Sequence, residues 1–358
     1  MAVLSFDESR AGDLWERALP QLDLHPGSRV LAIAMGTAPI LARLLRQGTA
    51  LTACDWHLTG LRGAMAAGLA SDSVIAWDET EAPPLPADFD VACCDLGLLP
   101  SRAAFADAVR CALAHLRPGG RLLVCGGRTE GVGGAATRLR QWTGAADVLA
   151  YGRGRRILQA PAVGAGAVPP PAPAWEGEIA CGGEALRLRS AEAVFARGLP
   201  DAAALLLCSA LASWPGAAAA RTACDVGCGG GALGLCLLRR GVRGCTGVDD
   251  NLRALAASRH NARLNGLQER WRTVAADLRA GAPGGPYDVV LCNPPLHHGV
   301  REDRDLGRAV LAAAWAACAR GGRLFVVGHH FLRFERDVPD LQAVASDRAF
   351  RVLCATRP

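Results

Sequence analysis

The chain is written twice, and that repeat constrains its fold more than any other feature of its 358 residues. One copy runs Arg29-Val-Leu-Ala-Ile-Ala-Met-Gly36, then Leu51-Thr-Ala-Cys-Asp55, Asp90-Val-Ala-Cys-Cys-Asp95 and Arg117-Pro-Gly-Gly-Arg-Leu-Leu-Val124. The other runs Thr222-Ala-Cys-Asp225-Val-Gly227-Cys-Gly229-Gly-Gly231, then Cys245-Thr-Gly-Val-Asp249, Asp288-Val-Val-Leu-Cys-Asn293 and Arg320-Gly-Gly-Arg-Leu-Phe-Val326. Landmarks from Ala32 through Asp55 and Asp90 to Gly119 lie 23, 35 and 29 residues apart, against 24, 39 and 33 from Asp225 through Asp249 and Asp288 to Gly321. In both copies short apolar runs alternate with helical segments, the βαβ pattern of a parallel sheet covered on both faces. The expected fold is therefore α/β, built as two tandem lobes. The Ala/Pro/Gly-rich stretch 160–174 reads as an extended linker. The expected boundaries are a first lobe over 1–160, a linker over 161–175 and a second lobe over 176–358, opened by a hairpin within 175–195.

Composition decides several further points. With 51% hydrophobic and 20% charged residues the chain can form large cores, which excludes wholesale disorder. Residues 202–220 carry no charge, but they include Ser209, Ser213 and the breaker Pro215-Gly216. They read as a buried helix followed by a turn, not as a membrane span. Asp7, Glu8 and Asp13 near the start argue against a secretory signal. The 14 cysteines are scattered singly through apolar runs, so the expectation is buried reduced thiols in the cytoplasm. Cys224 and Cys228 have no second pair at finger-like spacing, so no metal site is expected. All 39 basic residues are arginine, and the net charge of +5 lies wholly beyond residue 160. That excess permits a nucleic-acid partner without requiring one. Arg138, Arg140, Arg153, Arg155 and Arg156 crowd the end of the first lobe, as a phosphate grip or as a solvated face.

The chemistry concentrates in the second copy. Gly227, Gly229 and Gly231 sit between an apolar run and a helix, where glycine lets backbone turn tightly and approach a ligand. The spacing also fits a dinucleotide fingerprint. Two acids favour S-adenosylmethionine instead. Asp225 ends the strand before the glycines, where it can face a cation, and Asp249 ends the next strand, where it can accept ribose hydroxyls. Asp277 falls where an adenine would lie, and Asn251 follows the ribose acid. The first copy has Ala32, Ala34 and Ala38 at the positions of Asp225, Gly227 and Gly231, so it reads as a degenerate, non-catalytic lobe. The chemical motif is Asn293-Pro294-Pro295-Leu296-His297, at the end of the fourth strand. The Asn293 side-chain oxygen and the Pro294 carbonyl can each accept one hydrogen of a planar amine and stabilise its developing positive charge. His297 reads as pocket lining; no nearby set of acids or cysteines makes it a metal ligand.

These residues resemble the two-lobed bacterial ribosomal-RNA guanine-N2 methyltransferases of the RsmC-like and RlmG-like kinds. The signature of that family is Asn-Pro-Pro-Phe-His. The likeness extends to Ala193-Val-Phe-Ala-Arg-Gly-Leu-Pro-Asp201, to His260-Asn-Ala-Arg-Leu-Asn-Gly266, to Gly321–Leu332 and to Phe350–Thr356. It implies two Rossmann-like class I methyltransferase lobes with S-adenosylmethionine as cofactor. It further implies N2-methylation of a guanine in ribosomal RNA, most simply 16S, within a ribosomal subunit and by a monomer. Cofactor contacts would fall to Asp225, Gly227, Gly229, Gly231, Asp249, Asn251, Asp277 and Asn293. Leu296 departs from the family's aromatic, which stacks on the target base, and Phe331 and Trp315 are candidates to replace it. That departure keeps open a 23S guanine, an adenine N6, a protein glutamine, or a non-catalytic role in ribosome assembly.

Overall fold

The computed structural model describes residues 14–358 except 37, 79–80, 163–168, 172–173, 182–183, 296, 299–300 and 303. Two compact units divide the chain between Ala172 and Pro173. In the first, strands β1 (Arg29–Ile33), β2 (Ala50–Asp55), β3 (Val74–Ala76), β4 (Phe89–Asp95), β5 (Leu116–Gly127), β6 (Asp147–Gly152) and β7 (Arg155–Pro161) form one sheet. Its order is β3-β2-β1-β4-β5-β7-β6. The second unit opens with the antiparallel hairpin β8 (Glu176–Cys181) and β9 (Glu184–Arg189). Its main sheet comprises β10 (Thr222–Val226), β11 (Gly244–Asp249), β12 (Trp271–Ala275), β13 (Tyr287–Cys292), β16 (Cys318–His329), β17 (Gln342–Ser346) and β18 (Phe350–Thr356), and a short ribbon after β13 pairs β14 (His297–His298) with β15 (Arg301–Glu302). The order β12-β11-β10-β13-β16-β18-β17 repeats that of the first sheet strand for strand. In each sheet the strands run parallel except the sixth in that order, β7 or β18, which is antiparallel to both of its neighbours. The tandem α/β lobes predicted from the repeat are present.

The central strands explain themselves. Val289–Cys292 is uninterrupted apolar chain because the strand is buried on both faces: Val289 and Leu291 join one core, Val290 and Cys292 the other. Trp271 fills a slot that two glycines keep open. A Cβ at Gly234 or Gly247 would lie 2.4 or 2.3 Å from its ring. The uncharged run 202–220 is a helix, Ala202–Ala212, followed by a turn, and no described helix is long and apolar enough to cross a membrane. Among the cysteines, twelve are free and buried, but Cys181 of β8 and Cys236 are joined in a disulfide with Cα atoms 5.7 Å apart. The expectation of thiols throughout is corrected at that pair, which β8 brings against the helix Ala232–Arg239.

The first lobe shows what became of its copy of the site. Ala34 keeps the backbone path of Gly227: each N–H bonds a carbonyl of the neighbouring strand at 2.8 Å, and Ala34 holds φ +52° to do so. Asp55 accepts from the N–H groups of Gly36 and His57, just as Asp249 does from Gly229 and Asn251. Above that shared scaffold the space is gone. A Cβ on Gly36 would lie 1.7 Å from the Gly60 carbonyl oxygen. Asp95, at the position of Asn293, is buried against Arg155, which also holds Glu130 at 2.8 Å. Arg155 is thus an internal ion-pair residue, not a member of the exposed basic cluster. Arg140 is partly committed too, bonding the Ala146 carbonyl at 3.2 Å.

Candidate active site

In a doubly wound sheet, ligands bind beyond the carboxyl ends of the strands, where the strand order reverses. Here that point lies between β10 and β13. Asp225, the penultimate residue of β10, is fully buried. One carboxylate oxygen accepts the Gly234 N–H at 2.9 Å, and the other has no partner among the described residues. Burial pushes its pKa up to about 7, against the Gly234 bond, with the Asp249 charge adding to the rise. An orphaned buried carboxylate oxygen beside a glycine loop is the acceptor that a bound ammonium would satisfy. The loop is shaped to admit such a ligand. Gly229 holds φ +50° and a Cβ there would meet nothing within 4 Å; at Gly227 the nearest atom would be 3.9 Å away.

Other residues expected at the cofactor also carry contacts within the protein. Gly231 packs: its Cβ would sit 3.0 Å from Ser258 and 3.2 Å from Trp271. Asn251 caps the helix Leu252–Leu264 through Oδ1, and its Nδ2 donates to the Ala193 carbonyl at 2.6 Å. These bonds tie the start of that helix to the chain at Ala193. Asp249 is half-buried at the end of β11 and anchors the loop through the Gly229 N–H. Asp277 lies two residues beyond β12 and accepts the Arg279 N–H at 3.0 Å.

At the end of β13, Asn293 is half-buried and its Nδ2 donates to Asp201 Oδ1 at 3.3 Å. An ionised carboxylate only accepts, so the amide must present its NH2 to Asp201 and keep its oxygen for another partner. Asp201 is itself fixed by capping the helix Ala202–Ala212, taking the Ala204 N–H at 2.7 Å. Pro294 is buried and Pro295 half-buried. Leu296 lies outside the described residues. His297 is placed by its backbone in a two-residue strand, His297–His298, paired with Arg301–Glu302. Of the proposed stacking replacements, Trp315 packs against the core, whereas Phe331 is 62% exposed and stacks on His329 at 5.1 Å.

Residues 185–354 match the methyltransferase small domain family. Ribosomal RNA small subunit methyltransferase C of Pseudomonas paraeruginosa (strain DSM 24068 / PA7) is 31% identical over 281 residues, spanning 73% of this chain and 78% of that protein. The chain belongs to this rRNA methyltransferase family. Another relative, ribosomal RNA large subunit methyltransferase G of Ectopseudomonas mendocina (strain ymp), is 34% identical over 38% of this chain and 38% of its own. The fold of the family is matched over 97% of the chain, and 92% of the other, by the T. thermophilus 16S rRNA N2 methyltransferase RsmC solved with AdoMet and guanosine. The TM-score is 0.81 and the identity 24%.

For a member of this family, the residue that sequence reasoning missed is Asp201. It closes a strap over residues 193–201 that meets the site at three points. Ala193 meets Asn251, Gly198 lies against Gly230, and Asp201 meets Asn293. Ala193, Ala196 and Arg197 all hold positive φ, a conformation that non-glycine residues keep only when their surroundings impose it. Asp201 stands in the segment that resembles the family, but only the fold brings it to Asn293, 92 residues away.

Proposed function

We propose that the protein is an S-adenosylmethionine-dependent methyltransferase that acts on the N2 amine of a guanine in 16S ribosomal RNA. The observation that carries the reading is Asn293, whose amide turns its NH2 to Asp201 and its oxygen away from that carboxylate, at the strand end beside an open glycine loop. The cofactor supplies a methyl group made electrophilic by its sulfonium. Asp225, Gly227, Gly229 and Asp249 are the residues to hold it, with Asp277 towards its base. The guanine amine has its lone pair delocalised into the ring and is a poor nucleophile. Asn293 Oδ1 and the Pro294 carbonyl each accept one of its hydrogens, which fixes the nitrogen and stabilises the positive charge that grows on it. The alkylated nitrogen is acidic, so its proton passes to solvent without a strong base. Proline at 294 has no N–H to compete at that face. One chain already holds two lobes, which supports action as a monomer, with an assembled ribosomal subunit as substrate. Among the described residues no cluster could hold a metal, and the chemistry above calls on none.

The experiment is methyl transfer from labelled S-adenosylmethionine to unmodified small and large subunits offered separately, followed by nucleoside mass spectrometry. N2-methylguanosine in the small subunit is the expected product. Label in the large subunit would reassign the substrate, and label in adenosine or protein would overturn the base assignment.

Asp225 adds a pH dependence. Its pKa of about 7 means that burial disfavours the ionised form. The folded state therefore loses stability through this group as pH rises from about 4 to about 7. An ammonium bound opposite the free oxygen favours the ionised form, so affinity moves the other way. Binding of S-adenosylhomocysteine, followed by calorimetry, should tighten towards tenfold per pH unit up to about 7 and level off above it. Asp225→Asn should flatten the profile. A wild-type affinity that is constant between pH 5.5 and 8 would remove Asp225 from the cofactor site.

A further inference from the structure

The first lobe has lost its cofactor space but not everything at the carboxyl edge of its sheet. Where β5 ends and the β6–β7 turn comes up beside it, an open cavity of about 630 Å³ is lined by Arg128, Tyr151, Arg156 and bare backbone at Gly131, Gly133 and Gly154. A Cβ at any of these three glycines would meet nothing within 4 Å. Tyr151 is 62% exposed, and the Arg156 guanidinium lies 5.9 Å from the centre of its ring. Arg128, Arg153 and Arg156 are all exposed. The carboxylates beneath, Asp95 and Glu130, are bound by Arg155 and by the N–H groups of Gly97 and Gly127.

An exposed ring beside guanidinium groups has two capacities at once. The ring offers a flat face to a nucleobase, and the guanidiniums offer paired donors to phosphate oxygens. A flexible strand can place a base and its flanking phosphates here together, whereas the stacked bases of a duplex cannot reach the ring. We infer that this cavity binds single-stranded RNA, with phosphates on Arg128 and Arg156 and a base on Tyr151. It holds the RNA at a point other than the reacting nucleotide, and it rests on the proposed function only in taking RNA as the natural substrate.

The test uses the full chain and a fluorescein-labelled single-stranded oligoribonucleotide, followed by anisotropy across a salt series. Arg128→Gln with Arg156→Gln should weaken binding and flatten the slope of log affinity against log salt by about 1.4, the share of two phosphate contacts on a single strand. Tyr151→Ala should weaken binding roughly 5- to 150-fold with the slope unchanged. The far-UV circular-dichroism spectrum and the urea-denaturation midpoint should stay at the wild-type values in each variant, which excludes misfolding of the first lobe as the cause. Unchanged RNA affinity and slope would overturn the site. An equal loss from Tyr151→Ala on duplex RNA would overturn its assignment to single strands. The anisotropy arm reads the cavity even if no methyl transfer to ribosomal RNA is found, so the two readings can fail separately.

Discussion

Asn293→Ala is expected to lower methyl transfer by about 10²–10³-fold while leaving S-adenosylhomocysteine affinity essentially intact. Among the described residues, the polar contact of Asn293 is made by Nδ2, to Asp201, and not by its oxygen. What is lost is an acceptor aimed at a charge that exists only as the new bond forms, so turnover falls and the Michaelis constant moves little. Asp201 should act through that same acceptor. Asp201→Ser keeps a competent helix cap but is too short to reach Asn293, so helix stability should be held while turnover drops about tenfold. The decisive comparison is the double variant. In the Asn293→Ala background, Asp201→Ser should cost nothing further, because there is no amide left to orient. Losses that simply multiply would make Asp201 a structural residue alone, and an Asn293→Ala enzyme with near-normal turnover would refute the mechanism.

The fold was legible because periodicity and repeat both report burial, and burial is what a covered parallel sheet imposes. The strand ends at Asp225, Asp249 and Asn293 could be placed from the apolar runs that precede them. The division of labour among neighbouring polar residues could not. Asp225 and Asn251 are both polar residues at strand ends. One keeps an unsatisfied oxygen, and the other is consumed by a helix cap and the Ala193 carbonyl. That difference depends on where the strap over 193–201 passes, which is a long-range fact. Gly229 and Gly231 show the same limit: identical in sequence, one faces open space and the other faces Ser258 and Trp271. Arg155 shows it for charge, since a run of arginines gives no sign that one of them turns inward to Asp95 and Glu130.

Adjacent glycines should therefore respond in opposite ways, and that contrast tests the cradle most sharply. At Gly229 a methyl group would meet no protein atom within 4 Å, so Gly229→Ala carries only the left-handed backbone cost of about 1–2 kcal/mol. The methyl would instead stand in the space meant for the cofactor. Overpacking of about 1–3 kcal/mol there corresponds to roughly a 5- to 150-fold loss of S-adenosylhomocysteine affinity. At Gly230 the Cβ would lie 1.9 Å from the Gly198 carbonyl oxygen, backbone against backbone, so the strap must move. Gly230→Ala should cost about 3 kcal/mol of stability or more in urea denaturation. Gly36→Ala supplies the control from the other copy. Its Cβ would fall 1.7 Å from the Gly60 oxygen, which should destabilise the first lobe and leave cofactor affinity at the wild-type value. If Gly229→Ala binds S-adenosylhomocysteine as the wild type does, the open space beside Asp225 is not where the cofactor lies. If Gly36→Ala weakens that binding, the first lobe has kept a part in the site that its closed loop argues against.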